Sequence, residues 1–182
     1  MIYLVRHGQT DWNFTRKIQG QLDIPLNETG RKEAVACAKQ LLSFKIDEII
    51  SSDLSRAKET AKIINDFLSL PISFDSRLRE MNFGTLQGVS SADISEETWD
   101  VFNQTPQQFN AEAKADVYKR VKSFFHDVDD TKNTLVVTHG GFIRMTKYFL
   151  VSPNSFDSAE CEKFFREFKI KNTEIFSFEK PM

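Results

Sequence analysis

TLVVTHGG at 134–141, set beside IYLVRHG at 2–8, decides how this chain folds. Both stretches run apolar for four or five residues and then end on a histidine followed by glycine. An unbroken apolar run of that length suits a strand buried on both faces, as the strands of a parallel sheet are. Strands are therefore expected at Ile2–Val5 and Thr134–Thr138. In an open α/β sheet, ligands gather outside the carboxyl ends of the strands. His7 and His139 can then reach one crevice from two different strands.

Around these two strands the pattern alternates. Thr29–Phe44 repeats Ala34, Ala38, Leu41 and Leu42 at helical spacing, with Asn27 and Gly30 as a start signal. Asp47–Ser51 reads as a strand. Ser55–Leu68 reads as a helix with Ala57, Ala61, Ile64 and Leu68 on one face, and Pro71 ends it. Ile72–Phe74 is a short strand, Asp116–Val128 a helix, Phe142–Val151 another helix, and Phe168–Phe178 a last strand at an edge. Residues 8–29 are expected to be a long surface loop, a feature often tied to function. Such alternation predicts an α/β fold, with helices flanking a largely parallel central sheet. No repeat or linker breaks the chain, so residues 1–182 are expected to form one domain. A lid or insertion is expected at about 85–115, within the stretch 75–115 where no clear periodicity is visible.

Composition narrows the function. The chain has 182 residues, 40% hydrophobic and 27% charged, enough to bury a core. A net charge of −2 argues against a general nucleic-acid partner. KFFREFKIK at 163–171 mixes Phe with Lys and Arg, and is read as a half-buried element rather than a base-stacking surface. No apolar run approaches the roughly 18 residues of a membrane span. The N-terminus lacks a signal-peptide layout, so a cytoplasmic protein without membrane partners is expected. Cys37 and Cys161 make neither a disulfide framework nor a zinc site. Cys37 reads as a small core residue, Cys161 as more exposed, and His126 as a solvated helix-end histidine.

The strand ends carry the chemistry. Arg6 adjoins His7, and Arg56 opens a helix just after the second strand, at the same sheet edge. Two histidines with two arginines make a cationic concavity. Guanidinium forks match phosphate oxygens, whereas a metal site would want carboxylates to balance its charge. A neutral histidine can attack phosphorus and form a phosphohistidine while arginines spread the charge of the transferring group. The leaving alkoxide then needs a proton. Glu80 in LREMNFG is the natural donor, since Glu28 and Glu59 sit at helix starts where they would act as caps.

These residues carry a resemblance. LVRHGQTDWN at 4–13, QG at 19–20, PLNETGR at 25–31, SSDLSRAKETA at 51–61, LREMNFG at 78–84 and VVTHGG at 136–141 resemble the histidine phosphatase superfamily, the group named for cofactor-dependent phosphoglycerate mutase. The match runs in order along the chain. It implies a three-layer α/β/α sandwich, a phosphohistidine on His7, and phosphoryl contacts from Arg6, Arg56 and His139. It also implies that Glu80 acts first as acid and then as base, and that Asn13, Gln19, Gly20 and Gly140 line the phosphate site. No metal or other cofactor is implied. The chain departs from common family patterns at Leu86-Gln87-Gly88 and Ala111-Glu112-Ala113, both expected to touch the substrate rim.

Within that resemblance the segment after Glu80 favours hydrolysis of a small phosphorylated metabolite. It is short, has no arginine between Arg79 and Arg120, and carries five acidic residues against Lys114 between Val89 and Ala115. A strongly anionic bisphosphate, which a mutase must hold, is disfavoured there. Mutase-type transfer is the alternative, and a non-catalytic phosphate-binding module is a second. The compact size, LREMNFG and THGGFIR also resemble the branch with α-ribazole-phosphate phosphatases and broad-specificity phosphatases.

Overall fold

The structure is a computed structural model that describes residues 1–180. Its centre is a five-stranded sheet with strand order β3-β2-β4-β1-β5. The strands are β1 (Ile2–Arg6), β2 (Glu48–Ser51), β3 (Ile72–Phe74), β4 (Thr134–Thr138) and β5 (Ile175–Phe178). β1, β2, β3 and β4 pair in parallel, and β5 runs antiparallel along the outer side of β1. Because strand side chains alternate between faces, one run feeds two cores. Ile2, Leu4 and Val136 point into one, Val5, Leu135 and Val137 into the other.

The second core is closed by α2 (Glu28–Leu41) and α3 (Ser55–Leu68), whose Ala34, Ala38, Ala57 and Ala61 let the helices come close. α2 starts as expected, with the Asn27 side chain accepting the Gly30 N–H. The first core lies under α5 (Lys114–Asp127), α6 (Gly140–Val151) and α7 (Ser158–Glu167) and is dominated by phenylalanine. Helices on both faces of the sheet make the three layers.

Four expectations are corrected. The stretch 8–29 is not all loop, because Thr10 and Asn13 form a capping box that nucleates a one-turn helix, α1 (Asp11–Phe14). The aperiodic stretch 75–115 contains α4 (Glu96–Gln104), capped by Ser95. Only Phe102 of α4 is buried, stacked on Phe83 and edge-on to Trp99 and Phe109, so no apolar repeat marks the helix. The strand expected from Phe168 covers only Ile175–Phe178, and Ser158–Glu167 before it is helical. Cys161 is fully buried in that helix, and burial pushes its thiol up to about 12. Cys37 is also buried and unpaired. His126 lies exposed at the end of α5. Among the described residues no helix is long and apolar enough to cross a membrane.

Candidate active site

Register builds the site. Arg6 of β1 pairs with Thr138 of β4, so the next residues, His7 and His139, leave the sheet side by side. Their rings lie 5.1 Å apart, centroid to centroid, and both are buried. Ser51 of β2 pairs with Val137, which places Ser52 against the same strand end, where its Oγ lies 2.8 Å from His139 Nε2.

His7 has a defined tautomer. Its Nδ1 lies 2.7 Å from the Gly8 carbonyl, which can only accept. The ring proton therefore sits on Nδ1, and Nε2 carries the lone pair. Burial, followed by the charges of Arg56 and Arg6, holds the His7 pKa well below the usual imidazole value. The ring is neutral at physiological pH, as a nucleophile must be. His139 is held low for the same leading reasons, burial and then Arg56.

Two guanidiniums frame the histidines. Arg56, in the first turn of α3, is completely buried, with its terminal nitrogens donating to the carbonyls of Leu22 at 2.8 Å and Gly20 at 2.7 Å. Gly20 adopts φ +54°, which turns that carbonyl toward the arginine at little cost for a residue without a Cβ. Burial lowers Arg56 to about 10, so it stays charged at neutral pH. Arg6 donates from Nη1 to the Ile170 carbonyl at 2.7 Å. Arg6 Nε, Arg56 Nε, His139 Nδ1 and Gln19 Oε1 are all buried without a partner among the described residues. Buried polar atoms are nearly always satisfied, so the orphaned nitrogens of His139, Arg6 and Arg56, the groups that bear on His7, mark a place for a polar ligand. Three of the four are nitrogens, and two of those belong to permanent cations, an arrangement that suits an anion.

Glu80 faces this group from the turn after β3. Its carboxylate accepts the Met81 N–H at 2.9 Å and the Gly141 N–H at 3.0 Å. It forms no pair with Arg77 or Arg79, which bind Asp75 with Asp127 and Asp53 respectively. Gly141 lies in the first turn of α6, and a Cβ there would overlap Glu80 Oε1. The Glu80 turn is itself clamped. Arg120 donates to the carbonyls of Arg77 at 2.6 Å and Arg79 at 2.9 Å, and holds Glu112 through two nitrogens. Glu112, expected at the rim, thus lies behind Glu80 and supports it.

Among the other anticipated residues, Gly20 and Gln19 border the Arg56 loop, and Gly140 begins α6 against Arg6. Asn13 accepts at Oδ1 from Thr10 and, at 3.5 Å, from the Asn172 side chain that also holds the His7 carbonyl, so it is tied to the same strand end. Gln87 does touch the loop, accepting the Gln21 N–H at 2.7 Å. Sequence reasoning missed Ser52, Asn172 and Arg144. Asn172 donates to the His7 carbonyl at 2.8 Å. Ser52 stands in the SSD that ends β2, and Arg144 three residues after Gly141, positions that mark them only once the register is known. Beside Glu80 and Gly141 a cavity of about 510 Å³ opens, walled by Phe83, Trp99, Arg144 and Phe165.

Comparison with known proteins agrees with this geometry. Residues 2–178 match the family described as Histidine phosphatase superfamily (branch 1). The chain is 37% identical over 148 residues to the probable phosphoglycerate mutase GpmB of Escherichia coli O1:K1, covering 76% of this chain and 69% of that protein. It superimposes on a mycobacterial glucosyl-3-phosphoglycerate phosphatase complexed with VO3 at TM-score 0.82 and 28% identity, over 96% of this chain and 88% of that one. A phosphoserine phosphatase from Entamoeba histolytica in complex with 3-phosphoglyceric acid gives 0.78 and 26%, over 96% and 87%.

Proposed function

We propose, from the premise that this chain belongs to branch 1 of the histidine phosphatase superfamily, that it hydrolyses small phosphomonoesters through a phosphohistidine on His7, without a metal. The observation that carries the reading is the set of orphaned buried nitrogens on Arg6, Arg56 and His139 around an imidazole whose Nε2 lone pair is free.

His7 Nε2 attacks phosphorus as the bond to the ester oxygen breaks. The three nitrogens receive the equatorial oxygens, where charge builds in the transition state. His139 can donate there because Ser52 Oγ accepts the Leu54 N–H at 3.4 Å and turns its own hydrogen to His139 Nε2, leaving the imidazole proton on Nδ1. Glu80, protonated, gives its proton to the departing alkoxide, which leaves as alcohol. In the second half Glu80 takes a proton from water, the hydroxide attacks phosphorus, the nitrogen–phosphorus bond breaks, and inorganic phosphate leaves with Glu80 protonated again.

Mutase-type transfer is the second reading, favoured by relatives named probable phosphoglycerate mutase. Against it, the cavity beside Glu80 holds four carboxylates, Glu80, Glu96, Asp100 and Glu162, against three cations, Lys114, Arg144 and Arg166, of which two are already paired, a balance that disfavours a bisphosphate. The test is phosphate release from a panel of monoesters in chelator, with 3- to 2-phosphoglycerate interconversion followed in parallel. Release is expected from wild type and none from His7→Ala. Glu80→Gln is expected to slow alkyl esters more than p-nitrophenyl phosphate, whose leaving group barely needs a proton. Interconversion without release would make the protein a mutase.

A further inference from the structure

The cavity beside Glu80 has a charge pattern that the reaction itself does not explain. If Glu80 protonates the departing oxygen, this cavity is where the alcohol portion of the ester lies, and the inference rests on that reading. Three helices frame it. α4 presents Glu96, Trp99, Asp100 and Asn103 at spacings of three and four, and α7 presents Glu162, Phe165 and Arg166. α6 presents Gly141 and, one turn on, Arg144.

Three cations line the space, and two are already neutralised. Lys114 is held by Glu162 and by the Asn103 side chain, and Arg166 by Glu162 at 3.1 Å and Asp100 at 3.5 Å. Arg144 differs. Its Nε donates to the Phe168 carbonyl at 2.7 Å, which fixes the plane of the guanidinium. Neither terminal nitrogen has a partner among the described residues, and no carboxylate lies within ion-pair distance. Arg144 follows Gly141 by three residues, about 4.5 Å along the helix axis, and the Gly141 N–H holds the Glu80 carboxylate. Burial is the main reason that the proton affinity of Arg6 is lowered, and the Arg144 charge adds to it. A rigid, half-buried, unpaired cation thus sits on the leaving-group side of Glu80, close to the phosphoryl site.

We propose that Arg144 receives a carboxylate carried by the leaving alcohol, so that this chain prefers phosphomonoesters of small hydroxy acids. One unpaired cation matches one carboxylate. A second phosphate in its place would bring more negative charge than the one open cation balances, with Glu96, unpaired among the described residues, across the same space. The planar fork of a guanidinium fits a carboxylate through two parallel bonds, which a lysine cannot reproduce.

The experiment uses two esters with the same primary phosphate, 3-phosphoglycerate and glycerol 3-phosphate. They differ only in a carboxylate against a hydroxymethyl group. Wild type should favour 3-phosphoglycerate in kcat/KM by about 10-fold or more, the worth of a charge-assisted bond. Arg144→Gln should bring the ratio to within about 3-fold of unity, chiefly through KM, and Arg144→Lys should keep part of it. Equal kcat/KM for the two esters in wild type, or a preference that survives Arg144→Gln, overturns the assignment. Calorimetric binding of the same two esters to His7→Ala separates this inference from the hydrolase reading. Tighter binding of 3-phosphoglycerate with no turnover by wild type upholds Arg144 and sinks the hydrolase. Turnover of both esters without preference upholds the hydrolase and sinks Arg144.

Discussion

Replacing Gly141 with alanine should change the protein's stability little while crippling one half of its chemistry. Gly141 is in the first turn of α6 and has ordinary helical backbone, so alanine is not strained there and gains up to about 1 kcal/mol of helix propensity. The new Cβ would lie on top of Glu80 Oε1. To regain van der Waals separation the carboxylate must retreat by about 1 Å or more. It can do so, because it is the end of a flexible, partly exposed side chain. Its retreat gives up the Gly141 N–H bonds at 3.0 and 3.1 Å, and solvent takes their place. Net stability should therefore stay within about 1 kcal/mol of wild type. Catalysis has no such compensation. A displacement of about 1 Å in a positioned group costs on the order of 100-fold, and general-acid transfer contributes about 10²- to 10⁴-fold. In kcat/KM, which reports the first half of the reaction, alkyl phosphates should fall about 100-fold and p-nitrophenyl phosphate less than about 5-fold, because its leaving group scarcely needs the proton. The assays are steady-state phosphate release on both esters and a thermal melt. Equal losses on the two esters, or alkyl turnover within about 3-fold of wild type, would refute the placement of Glu80 as acid.

Two further outcomes follow from the histidines. His7 and His139 are held well below the usual imidazole range, first by burial and then by Arg56, so the unfolded chain takes up protons near pH 6.5 that the native protein refuses. Their contribution to stability is complete above about pH 6.5 and is lost as the pH falls, by up to about 1.4 kcal/mol per histidine per pH unit. Urea midpoints measured from pH 8 to 5.5 should drop, and less steeply in His139→Gln; identical slopes would contradict the buried neutral state. Ser52→Ala removes the partner of His139 Nε2 and should lower kcat about 10-fold with little change in KM, since the bond orients a group that acts in the transition state. An unchanged kcat would mean that His139 needs no such orientation.

The strands and most helices were legible because their signals are local. β4 and α3 fall at the predicted residues, and α2 begins at the predicted Asn27 cap. What escaped was held by contacts distant in sequence. α4 buries one side chain, Phe102, into an aromatic cluster drawn partly from other segments, so it shows no repeat of its own. Cys161 sits in a charged stretch that promised exposure, yet lies against the phenylalanine core.

For the site, the sequence alone pointed to the residues at the strand ends, though not to Ser52, Asn172 or Arg144. Residues that end an apolar run or open a helix, such as Arg6, His7, Arg56 and His139, betray themselves because strand ends in parallel sheets are where ligands bind. It also determined that Glu80 was the acid to test. The tertiary structure alone decided the pairings. The one-residue register between β1 and β4 sets the two imidazoles side by side, and the neighbouring register of β2 brings Ser52 to His139. Arg120 and Glu112, 40 and 32 residues beyond Glu80 in the chain, hold its turn from behind. Which cations are neutralised and which is left open, the difference between Arg166 and Arg144, depends on how helices from separate parts of the chain meet around one cavity. No local pattern encodes that, because electrostatic partners are chosen by distance in space and not along the chain.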